Sequence, residues 1–134
     1  MRIARALLAI GTAAVVTAGT ASTAHAQAAG NPETPYVAQY GNSYVKGNLI
    51  WYNQSVQVGG QLRAASGCRD VVYTAYVNDT IKDRQVRSTC NGTVGHGFTL
   101  SAPVPGGATS VFVDLYENGT LRAWSICHRT GCSS

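Results

Sequence analysis

The stretch Thr109–Cys127 reads TSVFVDLYENGTLRAWSIC and decides the fold class. Asn118-Gly119 stands between two alternating runs, which is the strongest local signal for a β-hairpin, because a type I′ turn needs φ > 0 at both central residues. Counting outward from this turn places Val113 opposite Trp124, and opposed residues share a face of the sheet. The predicted apolar face consists of Val111, Val113, Leu115, Trp124 and Ile126. Phe112 is an exception on the otherwise polar face, which predicts an antiparallel sheet that needs a second layer to cover one side.

Further alternating segments precede this hairpin at short, regular intervals. We predict strands at 43–52, 55–65, 70–77, 81–89 and 97–102. Gly59-Gly60 inside the second of these indicates a bulge or a close backbone approach. No window after the first 26 residues has helical periodicity. Short strands separated by Gly, Asn and Pro turns are typical of an all-β sandwich or barrel. We therefore predict a seven-stranded, immunoglobulin-like antiparallel sandwich over residues 43–134.

The N-terminus has the pattern of a secretory signal peptide. Arg2 and Arg5 precede an apolar run, and the segment ends in Ala24-His25-Ala26, an A-x-A cleavage pattern. We predict a signal peptide over residues 1–26, with Ala28 as an alternative cleavage site, and hence an extracellular protein. The apolar run is shorter than the ~20 residues that a membrane span needs.

Residues 27–42 are small and polar, and we predict that they form an extended N-terminal arm. Four apolar or aromatic residues in or beside the arm are candidate partner-binding residues: Tyr36, Val37, Tyr40 and Tyr44. One hypothesis is that the arm contacts a protein partner as an added strand. The alternatives are that these tyrosines pack back onto their own domain, or that the arm is a flexible tail.

Four cysteines in a secreted chain predict two disulfides. Four cysteines allow three connectivities, so the choice depends on geometry. If Asn78-Asp79-Thr80 is a hairpin loop, Cys68 lies opposite Cys90, at the short separation that a disulfide requires. The preferred pairs are therefore Cys68–Cys90 and Cys127–Cys132, and pairing of all four excludes a nucleophilic cysteine.

The charge pattern argues against two classes of function. Without residues 1–26 the chain has eight Lys and Arg against six acids, a net charge of +2. These charges are scattered, whereas a nucleic-acid interface needs a concentrated basic face. His96 and His128 lie in no metal-binding motif and there is no C-x-x-C pair, so we predict neither a metal nor another cofactor.

These patterns predict a secreted, non-enzymatic protein-binding domain. One alternative is a protease inhibitor that presents the Cys127–Cys132 loop with Arg129 as its specificity residue. Another is a carbohydrate-binding module, since tyrosines suit both protein and sugar recognition. A different class is a small hydrolase that uses His96 and carboxylates; the candidate acids are Asp70, Asp79, Asp83 and Asp114.

Residues 43–132 resemble small secreted proteins of streptomycetes. The resemblance rests on turn and cysteine patterns: Val56-Gln57-Val58-Gly59-Gly60, Gly67-Cys68, Thr89-Cys90, Pro105-Gly106-Gly107-Ala108-Thr109 and Cys127-x₄-Cys132. Some of those proteins resemble the adapter subunits of umbrella-shaped toxin particles, which join a lectin-like subunit to a larger toxin chain. The resemblance implies protein–protein bridging and transfers no residue-level site.

Overall fold

The computed structural model describes residues 30–134. Its strands are β1 (Glu33–Tyr40), β2 (Ser43–Trp51), β3 (Ser55–Val77), β4 (Thr80–Ser101), β5 (Ser110–Glu117), β6 (Thr120–His128) and β7 (Gly131–Ser133). The signal peptide predicted for residues 1–26 lies outside the described residues. No helix in the described part of the chain is long and apolar enough to cross a membrane.

All seven strands belong to one antiparallel sheet that nearly closes into a barrel. The first half of β3 pairs with β2 and its second half pairs with β5, while β4 accompanies β3 along both halves. The sheet continues through β1 on one side and through β6 and β7 on the other, and β1 packs against β6 and β7. The all-β prediction is confirmed. The immunoglobulin-like arrangement is not, because β3 and β4 run through both halves of a single sheet.

The number of strands agrees with the prediction, but their identities differ. The predicted strands at 55–65 and 70–77 are one strand, β3, and those at 81–89 and 97–102 are one strand, β4. Gly67 (φ 71°) and Asn91 (φ 48°), residue types typical of turns, instead form an irregularity inside the β3–β4 ladder. There the Gly67 N–H donates to Asn91 Oδ1 at 2.8 Å. Strands β1 and β7 were not predicted.

Both predicted disulfides are confirmed. Cys68 pairs with Cys90 and Cys127 with Cys132, each pair at directly opposed ladder positions. The turn before β4 contains two residues, since Val77 is opposite Thr80, whereas the prediction assumed three. A bulge further along the same ladder offsets this difference, so the two cysteines are opposed as expected.

The core lies inside the curved sheet and is filled by alternating residues from β1, β2, β3 and β5, with Leu100 from β4 and Cys127 from β6. Its largest completely buried side chains are Trp51, Tyr73, Leu49, Leu62, Leu100 and Leu115. Trp51 donates its indole N–H to Thr34 Oγ1 at 3.0 Å, so its one polar group is satisfied. Because Thr34 belongs to β1, part of the predicted N-terminal arm is packed into the core.

The predicted face of β6 is wrong. Leu115 is opposite Ala123 and Tyr116 is opposite Leu121, so Arg122 is an extra residue in β6. Because side chains alternate with a period of two, one extra residue turns the rest of β6 over. Trp124 consequently lies opposite Asp114 on the outer face, and Ser125 is buried instead.

Candidate functional site

The bulge in β6 helps to build an apolar surface on the outside of the sheet. Successive cross-strand rows run from β6 through β5 and β3 to β4, and one row contains Trp124, Asp114, Val72 and Val86. The next row contains Ile126, Phe112, Thr74 and Arg84. We call this surface the aromatic face and define it by Phe112, Asp114, Trp124, Ile126 and Val86.

Trp124 is the most prominent side chain of the aromatic face. It is 45% exposed, as is Val86 at the other end of the same row. It is not isolated, because Phe112 and Ile126 lie beside it in the next row, and Trp is enriched at the energetic centres of protein interfaces.

Asp114 is the only acid among the residues that define this face. It receives no hydrogen bond and forms no ion pair within residues 30–134. Its partial burial raises the pKa of the carboxyl, and the positive charge of Arg84 acts in the opposite direction. A carboxylate in this environment is available to a positively charged group of a partner, since it has no partner of its own.

One end of the aromatic face is concave. The cavity has a volume of about 540 Å³, and its apolar lining comes from Tyr76, Phe112 and Ile126. The Tyr76 and Phe112 rings lie 4.9 Å apart between centroids. His128 lines the rim, where its Nδ1–H donates to the Thr109 carbonyl at 3.1 Å. The surface therefore offers both a projecting ring and a recess of side-chain size.

The four predicted partner-binding residues do not share one surface. Tyr36 is buried, and its hydroxyl lies 2.7 Å from that of Tyr73. Val37, 49% exposed, points outward from the same strand. Tyr40 is 38% exposed at the end of β1, and Tyr44 is partly buried on β2. Of the three tyrosines, Tyr36 therefore packs onto its own domain, as one of the alternative hypotheses proposes.

A buried polar chain joins three elements of the core. The Tyr73 hydroxyl lies between the Tyr36 hydroxyl and Nε2 of His96, which is 2.5 Å away. Burial raises the pKa of Tyr36 to about 12 and also raises that of Tyr73. Burial lowers the pKa of His96, and the nearby Arg87 charge lowers it further. At neutral pH these groups are uncharged, so the chain connects β1, β3 and β4 by neutral hydrogen bonds.

Two of the four carboxylates proposed for a hydrolase are engaged in hydrogen bonds with other groups. Asp70 accepts a hydrogen bond from the Ser88 hydroxyl, and Asp83 accepts one from the Ser101 N–H at 2.8 Å. In residues 30–134 His96 is hydrogen-bonded to Tyr73 and not to a carboxylate. Within the same range no three His, Cys, Asp or Glu side chains are grouped so that they could hold a metal ion.

The C-terminal disulfide loop holds its arginine against the domain. The Arg129 guanidinium donates to the carbonyls of Tyr52 at 3.0 Å and Gly106 at 2.7 Å, and it lies 5.6 Å from the Trp51 ring. An inhibitor's specificity residue must project toward the enzyme. The contacts of Arg129 therefore give the inhibitor hypothesis little support.

Sequence reasoning missed the aromatic face because the bulge that assembles it has no local sequence signal. The available indication was Phe112, an aromatic residue on the strand face predicted to be polar. Comparisons with models of known families, with curated proteins and with solved structures find no match for this chain.

Proposed function

We propose that the chain is a secreted, non-enzymatic protein-binding domain whose aromatic face contacts another extracellular protein. The observation that carries this proposal is the half-exposed Trp124 directly opposite the unpaired Asp114. Binding would cover apolar surface that is otherwise in contact with water. Two disulfides are consistent with an extracellular protein.

The chemistry of the face indicates what kind of partner side chain it would bind. An Arg or Lys of the partner could pair with Asp114 while its apolar stem, or its guanidinium plane, lies on the Trp124 ring. A neighbouring apolar side chain could fill the recess beside Phe112. In an adapter, a second surface would bind the other component, as the resemblance to adapter subunits implies.

The test is retention of secreted proteins from culture supernatant on the immobilised mature domain. We expect a protein that is retained by the native domain and lost with Trp124→Ala and with Asp114→Asn. Val94→Ala is the matched control, because Val94 is also exposed, at 40%. It lies opposite Leu62, on the half of β3 that pairs with β2, and therefore outside the aromatic face. Equal retention by Trp124→Ala and the native domain would refute the proposed surface.

A further inference from the structure

A second patch of the outer surface, away from the aromatic face, has no side chains. It lies on the first half of β3 and the part of β4 paired with it. Gly59 on β3 lies directly opposite Gly97 on β4, and Gly95 is two residues from Gly97 on the same face. In the same rows, Gly59 is opposite Asn48 of β2 and Gly95 is opposite Gln61 of β3. The three glycines therefore expose a continuous area of backbone bordered by amide side chains.

The packing of the domain does not require these three glycines. A Cβ at Gly59 would meet no atom within 4 Å, and at Gly95 and Gly97 it would come only to 3.8 and 3.7 Å from backbone oxygens, which are ordinary contacts. None of the three has a positive φ. Glycine weakens a strand relative to residues with side chains, so its presence here needs another reason.

Two neighbouring glycines give the contrast. A Cβ at Gly47 would collide with the backbone of Gly59 and Gly60, and a Cβ at Gly60 would collide with the Lys46 carbonyl and the Tyr36 hydroxyl. These two residues are glycine because the interior requires it. Gly59, Gly95 and Gly97 face outward, where an absent side chain leaves room for something outside the protein.

Two of these three glycines, Gly59 and Gly95, line an open groove with a volume of about 810 Å³. This volume is within the range of about 300–1,000 Å³ that is usual for ligand clefts. Pro35 and Val37 of β1 supply apolar contacts on one side of the groove, and Asn48 and Gln61 supply amides. Among residues 30–134, Lys46 is the one charged residue of the lining, and its ammonium group lies 4.9 Å from the Tyr44 ring.

We propose that this glycine groove binds a short oligosaccharide. The flat backbone floor lets a sugar ring approach closely, and its C–H face would contact Pro35 and Val37. The amides of Asn48 and Gln61 can both donate and accept hydrogen bonds, which matches the adjacent hydroxyl groups of a sugar, since these also do both. An aromatic side chain of a protein would leave these amides without partners, which is unfavourable. No carboxylate of the described part of the chain lines the groove.

The test measures binding of chitotetraose, cellotetraose, xylotetraose and maltotetraose to the mature protein by isothermal titration calorimetry. We expect at least one to bind with a dissociation constant below the millimolar range. Gly59→Thr and Gly95→Thr place side chains in the groove and should weaken binding at least tenfold. Their melting temperatures should stay equal to or above that of the native protein, because threonine favours strands and a Cβ at either position meets no obstruction.

The controls separate this site from the aromatic face. Thr99→Val changes the next outward residue of the same strand and should leave binding within twofold of native. Trp124→Ala should also leave oligosaccharide binding intact, so the two proposals can fail independently. Binding of none of the four sugars, or unchanged binding by Gly59→Thr and Gly95→Thr, would overturn the proposal. Retention of an aromatic peptide but no sugar on the groove would overturn it too.

Discussion

The hydroxyl of Tyr36 lies so close to the backbone of Gly60 that a Cβ at residue 60 would collide with it. The Tyr36 side chain reaches across β2 because Gly47 and Gly60 have no side chains there. Its hydroxyl donates to the Gly59 carbonyl at 3.2 Å and is hydrogen-bonded to the Tyr73 hydroxyl. The packing of β1 onto the core thus depends on two glycines from other strands.

This relationship predicts unequal losses of stability when the adjacent residues Gly59 and Gly60 are each replaced by alanine. Gly60→Ala forces a methyl group against backbone and the Tyr36 hydroxyl, and we expect it to lower the free energy of unfolding by about 1–3 kcal/mol. Gly59→Ala, whose Cβ points into open space, should change it by no more than about 0.5 kcal/mol. Urea denaturation of both variants measures the difference. Equal effects would contradict the arrangement of Tyr36 over Gly60.

The two tryptophans should also respond differently to truncation. Trp51 is completely buried, so Trp51→Ala should destabilise the domain by about 3–5 kcal/mol. Trp124 is 45% exposed, and Trp124→Ala should cost about 1 kcal/mol or less. Thermal or urea unfolding decides between this result and the face first predicted for Trp124. A loss above about 3 kcal/mol for Trp124→Ala would instead indicate that Trp124 is buried on the same face as Val113.

Stability should fall on mild acidification because of His96. Its pKa is lowered in the folded state by burial and by Arg87, so the unfolded chain binds a proton more readily. The stability contribution is complete above the unfolded pKa of about 6.5 and is lost as the pH falls from that value toward the lower folded pKa. Asn replaces the imidazole without a titrating group. We therefore expect the free energy of unfolding to decrease less between pH 7 and 5 in His96→Asn than in the native protein; identical slopes would contradict this.

A further prediction concerns the buried guanidinium of Arg69. Its side chain is 7% exposed and pairs with Glu117 at 3.1 Å, and its Nη1 donates to the carbonyls of Ser66 at 3.0 Å and Cys68 at 2.9 Å. Glu117→Gln removes the charge that compensates Arg69, and we expect a loss of about 1–3 kcal/mol. The matched control is Arg122→Gln, because Arg122 pairs with the same carboxylate but is 38% exposed. That variant should lose at most about 1 kcal/mol in urea unfolding, and a larger loss for it than for Glu117→Gln would contradict the assignment.

Local features of the chain were sufficient for the all-β class, the Asn118-Gly119 hairpin turn and both disulfides. Asn118 and Gly119 have φ values of 49° and 78°, as a tight Asn-Gly turn requires. Cys68 and Cys90 are opposed because a ladder register can be counted outward from a turn. These features depend on residues close together in sequence or in one hairpin, where steric and hydrogen-bonding preferences act directly.

The tertiary structure decided which strands are neighbours and which faces are covered. The extra residue at Arg122 turned Trp124 to the outside, although the alternation on either side of the turn is regular. Thr34 and Tyr36 belong to the core only because Trp51 and Tyr73, on other strands, provide their hydrogen-bond partners. The glycine groove and the aromatic face are likewise assembled from several strands. Their geometry depends on contacts between residues far apart in the chain, which no local pattern specifies.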